Sequence, residues 1–233
     1  SFRASAGQPD RERLCRVILE RGYHRSEKPF MLSSGGTSRD YVDLRRALSR
    51  GPDLGLAAAL VVELALERVG HLDAAGGLTM GADPLAHAVA LLAGCDWFSV
   101  RKQAKSHGGG RRIEGADLGP GRDVLLLEDT VSTGTSILAA LDAVRETGAR
   151  VVLACAVLDR ADVAEDAFAT RGVPFVSLLT YRDLGIEPLR IELPGVNPSS
   201  VEPAGDAGAT TAVPPSAGAP GSTGDADRSS QPD

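Results

Sequence analysis

Residues 124–136 read "VLLLEDTVSTGTS": four apolar residues, two adjacent carboxylates, then a loop of hydroxyls around one glycine. Val124 to Leu127 form a short continuous apolar run, the pattern of a strand buried on both faces of a parallel sheet. Beyond Gly134 the period changes. Ile137, Leu138, Leu141 and Val144 recur at helical spacing, and Gly148 stops the run as a C-cap glycine does. The segment therefore reads strand, loop, helix. Its loop lies at the carboxyl end of the strand, where open α/β sheets bind ligands. Free N–H groups at the helix start, with Ser and Thr hydroxyls beside them, suit a phosphate.

A phosphate loop of the GxxxxGK[ST] type is excluded, because no lysine follows Gly134, and GxGxxG is absent from this turn. Glu128 and Asp129 need their own reason, since a carboxylate repels a phosphate. One reason is an acidic cap on the helix that follows. The other is a ligand with hydroxyls a few ångströms from its phosphate and a metal ion nearby. A ribose 5-phosphate has that layout, with its phosphate on the loop amides and its 2′ and 3′ hydroxyls on the carboxylates.

The flanking segments alternate in the same way. Asp10 to Arg21 is an amphipathic helix through Leu14, Val17 and Ile18, and "KPFMLSSGGTSRDYVDLR" (28–45) reads as two strands about a Ser-Gly-Gly turn. Pro52 to Val69 is a long helix, and "GGLTMGADP" (76–84) is a strand and turn leading into a helix over Pro84 to Leu92. Further strands are expected at Trp97–Val100, Val151–Leu158 and Phe175–Leu179. Strands separated by helices predict an α/β fold with a doubly wound parallel sheet and right-handed crossovers.

Composition bounds the function. A chain of 233 residues with 42% hydrophobic content predicts one globular domain over residues 1–198. Residues 199–233 contain no aromatic, Leu or Ile and are rich in Pro, Gly, Ala and Ser, so a disordered tail is expected there. A net charge of −6 and a pI near 5.3 argue against a general nucleic-acid or membrane-surface binder. Cys15, Cys95 and Cys155 lie far apart in apolar contexts and read as reduced core residues of a cytoplasmic protein. The stretch "SFRASAGQPDRERL" shows no apolar signal region, and the longest apolar run, Leu56 to Val62, is too short to span a bilayer.

One interval breaks the rhythm. "RKQAKSHGGGRRIEG" (101–115) crowds Arg101, Lys102, Lys105, His107, Arg111 and Arg112 around three consecutive glycines, without apolar period. A long loop of this kind is a solvated basic segment, a nucleic-acid patch or a lid. The patch reading lacks interleaved aromatics. As a lid, glycine joints let the cations fold over an anionic substrate. Beside a ribose-phosphate loop, that substrate would be phosphoribosyl diphosphate, and the reaction transfer of its phosphoribosyl group.

These segments resemble a known family. "VLLLEDTVSTGTS" is similar to the phosphoribosyl-diphosphate motif of type I phosphoribosyltransferases, and "VRKQAKSHGGGRRIEG" to the flexible catalytic loop of the orotate phosphoribosyltransferases. "FMLSSGGTSRDYVDLR" resembles that family's orotate-side hood segment, and "LDR" at Leu158 to Arg160 its orotate-carboxylate strand end. The matches keep the family's order from about residue 10 to 185.

The resemblance implies that Glu128 and Asp129 hold the ribose hydroxyls while Thr130, Val131, Ser132, Thr133, Gly134, Thr135 and Ser136 wrap the 5-phosphate. It implies that Arg101, Lys102, Lys105 and His107 approach the diphosphate from a lid that crosses into a neighbouring subunit, hence a homodimer with shared sites. Lys102, Lys105, His107 and Asp129 are the implied catalytic residues. Ser132 and Arg160 are implied to touch orotate, with Arg160 on its carboxylate. Magnesium is implied as a chelate of the diphosphate, without a dedicated protein cage. The chain departs from many members at Ser33 and Met80, where they carry lysine; by spacing, Met80 also fits a core position.

Two rivals differ in class. A ligand-sensing regulator on the same fold should show a basic face or a helix-turn-helix extension. A phosphoribosyltransferase for another base should lack a cation placed for a carboxylate. Arg160 is the discriminating residue, although taken alone it also fits an ordinary surface arginine at a strand end.

Overall fold

The computed structural model describes residues 8–31, 37–103 and 112–189. In chain order it contains α1 (Gln8–Arg21), β1 (Tyr23–Met31), β2 (Thr37–Val42), α2 (Leu44–Ala47), α3 (Gly51–Val69), β3 (Ala74–Leu78) and α4 (Asp83–Ala93). There follow β4 (Asp96–Val100), β5 (Ile113–Gly115), β6 (Asp123–Val131), α5 (Thr135–Arg145), β7 (Arg150–Asp159), α6 (Ala164–Ala169) and β8 (Phe175–Thr180).

The main sheet has the order β5-β4-β3-β6-β7-β8. All its pairs are parallel except β4–β5. The chain passes outward from β3 to β4, then returns to the other side of β3 and continues through β6, β7 and β8. The direction of winding therefore reverses between β3 and β6, which end side by side with Gly77 opposite Leu127. A crevice at the carboxyl ends of two such strands is where this architecture binds ligands.

The apolar run that opens β6 shows why the sheet is covered twice. Leu125 and Leu127 pack on one face with Leu14, Ile18, Val61 and Leu85 from α1, α3 and α4. Val124 and Leu126 face the other way, into Ile137, Leu141 and Phe168 from α5 and α6. Alternation along one strand thus serves two cores. The α/β, doubly wound expectation is borne out.

Several boundaries differ from the sequence reading. β6 runs past the apolar stretch to Val131, because β7 continues beside it and pairs Glu128 with Ala156 and Val131 with Asp159. The interval expected as one long loop between Val100 and Asp123 contains β5, a three-residue strand antiparallel to β4 that pairs Ile113 with Val100. Three residues are too few to show a period. The same holds for α2 and α6, with four and six residues.

β1 begins at Tyr23, earlier than expected, and pairs with β2 in its own antiparallel hairpin with a register shift between Arg25 and Phe30. Cys155 is fully buried, which pushes its thiol up to about 12, and all three cysteines are free. Among the described residues no helix is long and apolar enough to cross a membrane. Ser33, Lys105, His107, Arg111 and the tail expected from Ser199 lie outside the described residues.

Candidate active site

The acid pair stands at the carboxyl end of β6. Glu128 is buried at 6% exposure and Asp129 is half-buried beside it. The backbone folds back on both carboxylates: Asp129 N donates to Glu128 Oε1 at 3.3 Å, and Thr130 N donates to Asp129 Oδ1 at 2.7 Å. Burial pushes the Glu128 carboxyl well above the usual carboxylate range, and the neighbouring Asp129 charge adds to it. Lys102, at the end of β4, acts in the opposite direction on the same carboxyl. The structure thus places Lys102 within electrostatic reach of the acid pair.

The raised Glu128 carboxyl has a consequence for stability. The fold holds this proton more tightly than the unfolded chain does, so stability is fully present below the ordinary carboxylate pKa. It is lost as pH rises through the raised value. Glu128→Gln mimics the protonated form and does not titrate. Its thermal midpoint is expected to exceed wild type at pH 8 and to match it near pH 4. Melting curves of both proteins across that range check this, and a constant difference at every pH would contradict it.

After the acids, the loop turns through Gly134, whose φ of 77° is the left-handed conformation that glycine adopts without strain. That turn points the N-terminus of α5 at the loop. Thr133 Oγ1 lies 2.9 Å from Thr135 Oγ1 and accepts from Thr135 N at 3.4 Å. No acid occupies the first turn of α5. The result is a cavity of about 350 Å³ lined by Glu128, residues 130–136 and Ile137. It has backbone amides at a helix start, several hydroxyls and the Glu128 carboxyl at its rim, a donor set suited to a phosphate with hydroxyls beyond it.

The neighbouring strand closes the crevice. The loop after β3 brings Gly81 against Asp129, so close that a Cβ at position 81 would sit 2.8 Å from Asp129 Oδ1. A side chain at position 81 would therefore have to displace the Asp129 carboxylate, a contact invisible in the local sequence. Met80 on this loop is 69% exposed, which overturns its reading as a core residue.

Arg160 follows β7, and it is not a surface arginine. It is 3% exposed. Its backbone N donates to Val131 O at 2.8 Å, tying it to the end of β6. Its two terminal nitrogens donate to the Asp40 carbonyl on β2 at 3.2 and 3.3 Å, and its buried Nε has no hydrogen-bond partner. Burial lowers the guanidinium pKa, and the Asp40 charge opposes that shift. A buried cation with an unmet donor is what an anionic ligand group relieves.

Arg101 sits at the base of the charged segment. Its N donates to Arg112 O at 2.7 Å and its Nε to Glu114 Oε1 at 3.0 Å, so both ends of the segment are pinned together. Among the described residues no group of three or more His, Cys, Asp or Glu is arranged to hold a metal ion. The two adjacent carboxylates suit a hard divalent ion that is carried mainly by substrate phosphates.

The Phosphoribosyl transferase domain family matches residues 60–179, just over half of the chain. The orotate phosphoribosyltransferase of Corynebacterium glutamicum (strain R) is 46% identical over 157 residues, covering 66% of this chain and 84% of the relative. The chain belongs to the orotate phosphoribosyltransferase family. Another member, from Aquifex aeolicus (strain VF5), is 41% identical over 181 residues, 75% of this chain and 97% of the relative. Mycobacterium tuberculosis H37Rv orotate phosphoribosyltransferase, solved in complex with 5-phospho-alpha-D-ribosyl 1-diphosphate, is 37% identical with a TM-score of 0.64. That match covers 76% of this chain and 100% of the solved one. The family resemblance carried by the four ordered segments is borne out.

Proposed function

We propose that this orotate phosphoribosyltransferase family member transfers the 5-phosphoribosyl group from 5-phosphoribosyl 1-diphosphate to orotate. Diphosphate leaves, and orotidine 5′-monophosphate forms on the way to UMP. The observation that carries this reading is one crevice edge holding a hydroxyl-lined phosphate cavity, an acid pair and a buried arginine tied to both the end of β6 and the hairpin.

In the reaction, the N1–C1′ bond forms as the bond from C1′ to the diphosphate oxygen breaks, and the proton on orotate N1 passes to the departing diphosphate or to water. The anomeric carbon becomes oxocarbenium-like while the leaving group gains negative charge. Residues 130–136 bind the 5-phosphate, Glu128 and Asp129 take the ribose hydroxyls, and the Asp129 carboxylate eases the positive charge. Arg101, Lys102, Lys105 and His107 answer the charge on diphosphate; preorganised groups of this kind usually carry much of the rate. Closing the charged segment over the site excludes water from the activated sugar. Ser132 and Arg160 hold orotate, the latter by its carboxylate.

Magnesium, chelated by the diphosphate and steadied by the acid pair, would supply further charge neutralisation. A homodimer in which each subunit lends its charged segment to the other completes the sites. We place the protein in the cytoplasm with small-molecule substrates and neither nucleic acid nor membrane as partner, in keeping with its net charge of −6. The catalytic domain comprises residues 1–198, and the Pro/Gly/Ala/Ser-rich segment after it is an appendage.

The test is direct. Protein, phosphoribosyl diphosphate, magnesium and orotate are mixed, and the loss of orotate absorbance is followed. Turnover with another base but none with orotate would move the assignment to a different phosphoribosyltransferase.

A further inference from the structure

The β1–β2 hairpin brings an alternating row of charges to Arg160. Asp40 is 2% exposed. Its Oδ1 accepts from Tyr23 Oη at 2.8 Å and from Arg25 Nη1 at 3.1 Å. Its backbone carbonyl accepts from both terminal nitrogens of Arg160 and from Ser38 Oγ at 3.1 Å. The residue that grips the guanidinium thus carries a buried negative charge, and that charge acts on Arg160.

A buried carboxylate beside Arg160 works against a site for an anionic base. Left alone, Asp40 would cancel the arginine's field and repel a second carboxylate at short range. Arg25 changes the balance. With Arg25 paired to Asp40, the row Arg160, Asp40, Arg25 carries one net positive charge, and the Tyr23 hydroxyl directs its dipole at the same oxygen. Glu187, 76% exposed and 4.0 Å from Arg25 Nη2, pulls on Arg25 from solvent, where screening is strong.

We propose that Arg25 supports base selectivity by neutralising Asp40, so that Arg160 keeps a positive field for the carboxylate of the base. This rests on the assignment of that carboxylate to Arg160. Arg25 is a positioning residue: it acts through Asp40 and Arg160 and touches no substrate.

The experiment measures kcat and KM for orotate, uracil and phosphoribosyl diphosphate in wild type, Arg25→Gln, Arg25→Lys, Arg25→Gln/Asp40→Asn and Arg160→Ala. Arg25 is itself 52% exposed and so partly screened by solvent, and Arg25→Gln is expected to raise KM for orotate about three- to fivefold. KM for phosphoribosyl diphosphate and kcat/KM for uracil should stay within about twofold, since neither senses the pair at close range. Arg25→Lys keeps the charge and should stay near wild type. Adding Asp40→Asn to Arg25→Gln removes the uncompensated carboxylate and should recover most of the loss, which a merely structural role of Arg25 would not predict.

A double variant no better than Arg25→Gln, or an equal fall for orotate and uracil, would overturn the proposal. Should Arg25→Gln lose its fold, Asp40→Asn alone decides: it should lower KM for orotate, and a rise would refute the idea. Arg160→Ala separates the two levels. If it lowers orotate and uracil equally, the Arg160 assignment itself fails; if it is selective for orotate while Arg25→Gln is not rescued, only the role of Arg25 fails.

Discussion

Replacing Arg160 by alanine is expected to lower kcat/KM for orotate by roughly 30- to several-thousand-fold while changing uracil far less. Orotate differs from uracil by one carboxylate, and only a cation uses that difference strongly. Arg160 is suited to the task because it is 3% exposed and held by the Asp40 carbonyl, with Nε unmatched. Its removal leaves the carboxylate of the base desolvated without a partner, at a cost of about 2–5 kcal/mol. Arg160→Lys should already be damaging, since a point charge replaces a planar fork. The truncation also releases β2, so the thermal midpoint should fall; that loss weighs on both bases alike, and the orotate-to-uracil ratio isolates the carboxylate contact. Equal falls would mean that Arg160 holds the fold or the sugar phosphate.

The parts of this molecule that were legible in its sequence are those in which a local pattern carries the physics. Val124 to Leu127 announces a doubly buried strand because both of its faces must be apolar, and the glycine after it followed by apolar residues at helical spacing announces a turn into a helix. Features decided by distant partners were not legible. Asp40 is a charged residue in a polar stretch, and nothing near it reveals burial; its carbonyl meets Arg160 across 120 positions of sequence. Gly81 looks like a turn residue until Asp129 is seen against it. Met80 fits a core spacing, yet the turn after β3 leads it into solvent. Short elements such as β5 and α2 escape for another reason: their residues are held by neighbours in space, and neither completes enough turns or alternations to show a period.

The acid pair and the charged segment allow a test of how two subunits share a site. Lys105→Ala is expected to lower turnover roughly 100-fold or more, the usual cost of losing one transition-state donor. Asp129→Ala should be crippled as well on the proposed reading, in which the ribose loses the carboxylate that Thr130 N holds in place. If each segment serves its own subunit, a heterodimer of the two variants contains no intact site, and mixing them restores nothing. If the segment crosses, the subunit that keeps Asp129 receives an intact Lys105 from its partner, and the other site collects both lesions. One site in two is then complete. With random reassociation into twofold-symmetric pairs, half of the dimers are mixed, so activity should recover to about a quarter of wild type. The measurement is turnover of the two purified variants before and after dissociation and reassembly at equal concentration. No recovery in dimers shown to be mixed would assign each charged segment to its own crevice.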